Sequence, residues 1–398
     1  MRFLFLTLGY HPDMDGGAYR YAAEVAEGLA ARNHEVHSIF PNPTHLPEQE
    51  TRRGVHLHRI TSPPSSFARN WSGRNAVARE ILSRLDAEVH GPQLIASHHA
   101  YFEAAQKGLA QMEFFHGPWG LEYSLAQKAR PRGIIRRLLD PVIAQRLHRS
   151  EARALSRCRH ILVASEYMKT QLKRWHPSVL APVEVVGGGV NLGQFRPAND
   201  RLAVRERWLL QKDAFLFLTV RRLDPRMGLL PLIEAFATVA NAIPKAQLWL
   251  AGRGPQEAEL RRLVESRGLS ERVKLLGFVP EADLPALYQA ADCTLMPSLD
   301  LEGFGLATAE SLASGTPVVA SDSGANPEVV RPLGDQCIFP TGDVPAMAAR
   351  MRDLVLGHLP LPARTACSDY AQRHFRWDRP VTAFEIVADK LSEGVGQP

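Results

Sequence analysis

Short apolar runs alternate with longer amphipathic stretches along the chain, and the alternation occurs twice. In the first half, apolar runs predict strands over residues 3–8, 35–40, 55–60, 94–97, 112–115, 161–164 and 183–186. In the second half they predict strands over 215–220, 247–251, 273–276, 293–296 and 318–320. Between them, apolar positions recur at helical spacing, as in Tyr21, Val25, Ala26 and Leu29, and again in Leu232, Ile233, Phe236 and Val239. Strands alternating with helices predict an α/β protein with parallel, doubly wound sheets. At 398 residues the chain is long for one core, so two domains are expected. The stretch 186–197 carries Gly187, Gly188, Gly189, Gly193 and Pro197 and reads as a hinge. The expected organisation is a first domain over 1–187, a hinge over 188–197 and a second domain over 198–376. A last helical run, about 377–398, is a candidate to pack back on the first domain.

One strand–helix junction carries most of the candidate chemistry. Glu302 and Glu310 stand eight positions apart, with Gly303, Phe304, Gly305 and Leu306 between them. The strand predicted at 293–296 precedes them, and Gly315-Thr316-Pro317 stops the helix that follows. A helix starting near Phe304 or Gly305 points free backbone N–H groups at the loop, which suits a phosphate. The glycines let the backbone approach a ligand closely. Eight helical residues span about 12 Å, an upper guide here because the first few are loop. That matches the reach from a ribose, past its phosphates, to an attached sugar. The bland alternative is two glutamates eight apart by chance, with a Gly-x-Gly that is weak alone.

Composition narrows the class. A hydrophobic share of 45% and a charged share of 22% fit a globular protein. The cysteines, Cys158, Cys293, Cys337 and Cys367, are widely spaced without a Cys-x-x-Cys, which suits a reducing compartment and offers no metal site. The run at 3–8 is too short for a signal segment, and no stretch is long enough to cross a membrane. A cytoplasmic protein is expected. Net charge is +5, unevenly placed: ten Lys or Arg lie between Ala126 and His160, opposed by Asp140 and Glu151 alone. Apolar residues interleave with them, so the segment is a candidate for a solvated helix face, for peripheral contact with the inner face of a membrane, or for an acidic-substrate pocket. Aromatic interleaving is absent, which argues against nucleic acid.

Taken in order, several segments resemble the family 4 glycosyltransferases. They are the Gly16-Gly17 loop, Phe115-His116-Gly117-Pro118-Trp119, the stretch 187–197, and Glu302 to Glu310. Thr219-Val220-Arg221-Arg222-Leu223 and Gly252-Arg253-Gly254-Pro255 also fit. The resemblance covers nearly the whole chain. It implies two Rossmann-like domains facing across a cleft (GT-B) and retaining transfer of a hexose or amino-hexose from a nucleoside diphosphate sugar. UDP-sugars are favoured over GDP-sugars, and the acceptor is a hydroxyl of a saccharide, a lipid-linked saccharide or a small aglycone. It implies that Glu310 binds ribose, Glu302 holds sugar hydroxyls, and the amides of Phe304, Gly305 and Leu306 contact sugar and phosphate. Gly16 and Gly17 close on the diphosphate, Gly252, Arg253 and Phe278 flank the base, and His116 sits over the sugar. Glu302, His116 and Arg222 form the expected catalytic set. Tyr10, Asp13, Tyr101 and Trp119, with Tyr123, are the expected acceptor residues.

The chain departs from the family at one point: Arg222 is present, but Met227 stands where a lysine is usual. Arg226 and Arg222 are then the candidate phosphate cations, since guanidinium fits phosphate bidentately. Asp13-Met14-Asp15 reads as an Asp- and Gly-rich turn rather than a metal motif. No metal and no cofactor are expected beyond the nucleotide sugar as co-substrate. A nucleotide-sugar epimerase or a non-catalytic nucleotide-sugar-binding protein remains compatible with the same motifs. A dinucleotide dehydrogenase is disfavoured, because the first loop has no Gly-x-Gly-x-x-Gly.

Overall fold

A computed structural model describes residues 1–14, 16–42, 46–60, 93–98, 110–128 and 134–393. The chain divides into two compact units. One comprises Met1–Gly120, Val142–Gly188 and the segment from Trp377; the other comprises Leu121–Pro141 and Gly189–Arg376.

Among the described residues, the first unit holds an eight-stranded sheet. Its strands are β1 (Arg2–Leu6), β2 (Glu35–Pro41), β3 (Gln49–Arg52), β4 (Val55–Ile60), β5 (Gln93–Ser97), β6 (Ala110–Phe115), β7 (His160–Val163) and β8 (Val183–Val185). The order is β3-β4-β2-β1-β5-β6-β7-β8. Every neighbouring pair is parallel except β3 with β4. Phe3, Leu4, Phe5 and Leu6 are all fully buried. A parallel strand covered on both faces requires such a continuous apolar run.

The last helix, Asp378–Glu393, belongs to this unit. Val381, Phe384, Val387 and Ala388 join the core of Phe3 and Phe5, and the Phe384 ring stacks on Phe5 at 5.9 Å. Glu385 accepts from Arg32 and meets His34 Nε2 at 2.9 Å. The helix is thus bound by an apolar face and by charge.

The second unit holds a six-stranded, fully parallel sheet. Its strands are β9 (Phe215–Val220), β10 (Ala246–Ala251), β11 (Val273–Gly277), β12 (Cys293–Met296), β13 (Val318–Ser321) and β14 (Ile338–Phe339). The order is β11-β10-β9-β12-β13-β14. The succession reverses direction between β9 and β12. Open α/β sheets bind ligands at the carboxyl ends of the strands flanking such a reversal. The loops that leave β9 and β12 are those that carry Arg221 and Glu302.

Candidate active site

At that reversal the loops of the second unit lock together. Gly252, after β10, lies so close to the β9 loop that a Cβ there would sit 1.8 Å from the Arg221 carbonyl oxygen. Leu223 N donates to Arg253 O at 3.0 Å, and Leu299 N donates to Arg226 O at 2.8 Å. Gly324, with φ 62°, abuts Glu302: a Cβ would fall 2.6 Å from its carbonyl oxygen. The neighbouring Ala325 N donates to that oxygen at 2.8 Å. Only glycine satisfies both the backbone and the space at 324.

Glu302 is the charged centre of this knot. Its Oε2 accepts from Arg221 Nη2 and, at 2.9 Å, from Ser298 Oγ; Arg221 Nη1 donates to Ser298 Oγ at 2.7 Å. Burial pushes the carboxyl pKa up, but the charges of Arg221 and Arg226 and the Ser298 bond outweigh it and hold the group below its ordinary value. Leu301, immediately before it, has φ 53°, a left-handed conformation costly for a bulky residue, of order 1–3 kcal/mol. Arg226 Nη1 to Leu301 O at 3.0 Å and Leu301 N to Asp300 Oδ1 at 2.8 Å keep it there.

The helix Leu306–Ala313 begins next, with Gly305 as its N-cap at φ 84°. Thr308 N and Ala309 N both donate to Gly305 O. The amides of Gly305, Leu306 and Ala307 make no hydrogen bond among the described residues. They are the orphan donors that an anion would satisfy. Glu310, further along this helix, is buried, and the Tyr288 hydroxyl donates to its Oε2 at 2.9 Å. Phe304 is half-buried and stands edge-on to Phe375 at 5.6 Å.

The remaining expected donor residues fall around this edge. Arg222 is exposed, whereas its neighbour Arg221 is buried. Arg253 lies over the exposed ring of Phe278 at 5.5 Å. Met227 is buried in the core with Leu229 and Leu232. The single turn Pro225–Met227 directs that side chain inward, so position 227 is a packing position in this structure.

The comparisons with known proteins meet this geometry. Residues 15–194 match the family model "Glycosyltransferase Family 4", and residues 200–374 match "Glycosyl transferases group 1". A D-inositol 3-phosphate glycosyltransferase of Thermomonospora curvata is 30% identical over 364 residues, covering 85% of this chain and 83% of that protein. The chain belongs to the family 4 glycosyltransferases. The transferase is also 33% identical over 205 residues to a GDP-mannose-dependent phosphatidylinositol monomannoside mannosyltransferase of Mycolicibacterium smegmatis, covering 50% of this chain and 52% of that one. A sucrose-phosphate synthase of Thermosynechococcus elongatus shares its fold, with a TM-score of 0.81 at 23% identity over 99% of both chains. HepE of Anabaena, solved with UDP and glucose, gives 0.73 at 19% over 99% of this chain and 100% of that one. The fold is GT-B.

In the first unit, the transferase places its expected residues less uniformly. Gly16 caps the helix Gly17–Ala31 without a side-chain hydrogen bond. His116, half-buried after β6, sets Nε2 3.3 Å from His98 Nδ1, with Tyr21 edge-on at 5.8 Å. The amide of half-buried Trp119 is held by Glu151, whose Oε2 meets His176 Nε2 at 2.8 Å. Tyr123, which belongs to the second unit, donates to Asp140 of the same unit at 2.9 Å.

Two acceptor expectations need correction. Tyr10 is fully buried and stacks on Phe40, so it is a core residue. Asp13 spends both oxygens on Arg52 and Arg59, so it is a structural ion pair. Tyr101, and Asp15 of the acidic turn, lie outside the described residues.

Three residues at the site were not singled out from the sequence: Arg221, Ser298 and Tyr288. The one available signal was the polar Thr219 and Arg221 at alternate positions leaving an apolar strand.

Proposed function

We propose that the transferase moves a hexose or amino-hexose from a nucleoside diphosphate sugar to a hydroxyl, with retention at the anomeric carbon. The observation that carries this reading is a row of amides, Gly305 to Ala307, without hydrogen bonds among the described residues, set between a buried carboxylate at Glu310 and an arginine-paired one at Glu302. In this reading Glu310 accepts from ribose hydroxyls, the amides and exposed Arg222 receive the diphosphate, and Glu302 takes a hydroxyl of the sugar. Breaking the glycosyl–phosphate bond leaves the electron pair on the diphosphate and positive character on the sugar. Fixed amide dipoles and a guanidinium aimed at the leaving oxygens stabilise that charge without reorganisation. The acceptor oxygen bonds to the anomeric carbon, and its proton departs with the diphosphate. These groups supply the positive charge, so transfer is expected to persist in EDTA.

Relatives act on GDP-mannose and one structural neighbour was solved with UDP and glucose, so the base forms two arms of the test. The helix Ile134–Leu155 exposes Leu138, Leu139 and Val142 ahead of exposed Arg146, Arg149 and Arg153. Such a stripe suits an acceptor carried on an anionic membrane surface. No helix of the described residues is long and apolar enough to cross one.

The test is incubation with UDP-glucose, UDP-N-acetylglucosamine or GDP-mannose, with saccharide and inositol acceptors. Nucleoside diphosphate release is expected together with one new glycoside, whose anomeric configuration by NMR matches the donor. An inverted product overturns retention. A donor epimerised without acceptor overturns transfer.

A further inference from the structure

Arg221 and Glu302 stand 81 positions apart and share a contact whose side chains are 4% and 13% exposed. Both hydrogen bonds that reach the carboxylate go to one oxygen. Arg221 Nη2 and Ser298 Oγ both donate to Glu302 Oε2, and Arg221 Nη1 fixes Ser298 Oγ. Glu302 Oε1 accepts no hydrogen bond from the described residues and lies beside Gly305, at the start of the helix with the unbonded amides. Guanidinium and carboxylate usually pair through two parallel bonds that occupy both oxygens. Here the second oxygen is held back, while Arg226, Ala325 and Gly324 immobilise the backbone on either side.

We infer that Arg221 is a positioning residue that commits Glu302 to a single-oxygen contact with the donor sugar, so that the transferase reads one sugar hydroxyl at this point rather than a vicinal pair. The inference rests on the nucleotide-sugar reading above. A carboxylate with two open oxygens grips two adjacent hydroxyls; one with a single open oxygen, fixed in direction, grips one. The donor is then selected at one carbon and tolerated at its neighbours.

The first arm of the test needs no ligand. Thermal unfolding of Arg221→Gln, Glu302→Gln and the double variant forms a cycle. The double variant is expected to be more stable than the sum of the single losses, because removing either partner alone strands the other. Additive losses overturn the pairing.

The second arm is calorimetry with UDP against UDP-glucose, and with GDP against GDP-mannose. Arg221→Gln is expected to bind the nucleotide sugar roughly tenfold to hundredfold more weakly, the scale of a charged hydrogen bond. Binding of the bare nucleotide should stay within about twofold. Arg221→Lys should recover part of the loss. In Arg221→Gln, the advantage of nucleotide sugar over nucleotide should also disappear at a higher pH than in the parent, because burial of Glu302 is then opposed only by Arg226 and Ser298. Equal loss on nucleotide and nucleotide sugar overturns the positioning role. So does a deoxy-sugar scan in which two adjacent hydroxyls matter equally. If the parent binds neither ligand, the nucleotide-sugar reading and this inference fall together, while the unfolding cycle still shows whether the pair exists.

Discussion

Asp13 in the first unit and Glu302 in the second are both nearly buried carboxylates paired with buried arginines. They differ in what is left over. Asp13 Oδ1 takes Arg52 Nη1 at 2.9 Å, and Oδ2 takes Arg59 Nε at 2.9 Å and Nη2 at 2.7 Å. Arg59 also meets Glu50 at 2.6 Å, and its side chain is fully buried. Both oxygens of Asp13 are therefore already taken by arginines. Glu302 concentrates its bonds on one oxygen and leaves the other, beside Gly305, without a hydrogen bond from the described residues. An arginine–carboxylate pair therefore marks neither structure nor binding by itself; the unspent lone pair tells them apart.

The largest expected effect that tests this contrast is on stability. Asp13→Ala leaves the buried Arg59 with only Glu50 and a backbone carbonyl as partners and should cost about 2–4 kcal/mol in denaturant unfolding. A loss below about 1 kcal/mol would mean that the network is no more than a surface ion pair. Next comes Glu302→Gln, which keeps shape and removes charge. It should leave the fold largely intact while lowering kcat/KM by roughly a hundredfold, the scale of losing one oriented electrostatic contact. Full activity in that variant would remove Glu302 from the site. Met227→Lys should destabilise the second unit by about 1–3 kcal/mol, since it buries an amine among apolar side chains, and should not tighten nucleotide binding. Tighter binding would show that the position does turn outward. The smallest effect is in acid. Because the Glu302 carboxyl is held below its ordinary value, its pair adds stability above the pH where a free glutamate titrates. That contribution fades as pH falls through the lowered value. Glu302→Gln should flatten the acid limb of a stability–pH curve, whereas an unchanged limb would mean the pair does not form in solution.

Much of the fold could be read from periodicity, because parallel strands buried on both faces announce themselves as apolar runs. The strands that escaped have no such run. β3 reads Gln-Glu-Thr-Arg and is a polar edge, and β14 is two residues long. At the site, Glu302, Gly305 and Glu310 were legible because one local segment carries them. Arg221 was not, since Arg221 and Arg222 are chemically identical at a strand end and only the third dimension decides which turns inward. Tyr288 reaches Glu310 from another helix, and Ser298 gains meaning only beside Arg221. Tyr10 failed for a different reason. An aromatic residue in a glycine-rich loop resembles a ligand wall, but here the loop folds it under the sheet against Phe40.

The last helix has a consequence for how the polypeptide matures. Val381, Phe384, Val387 and Ala388 fill the same core as Phe3 and Phe5. On the ribosome, the strand Arg2–Leu6 emerges well before Asp378–Glu393, and the side chains that complete its core are made only after the segment Gly189–Arg376 has been synthesised. The N-terminal sheet must therefore wait with part of its apolar face uncovered, while most of the later unit can already assemble. Nascent chains halted before residue 378 would expose that face, and they are the species most prone to chaperone capture or aggregation.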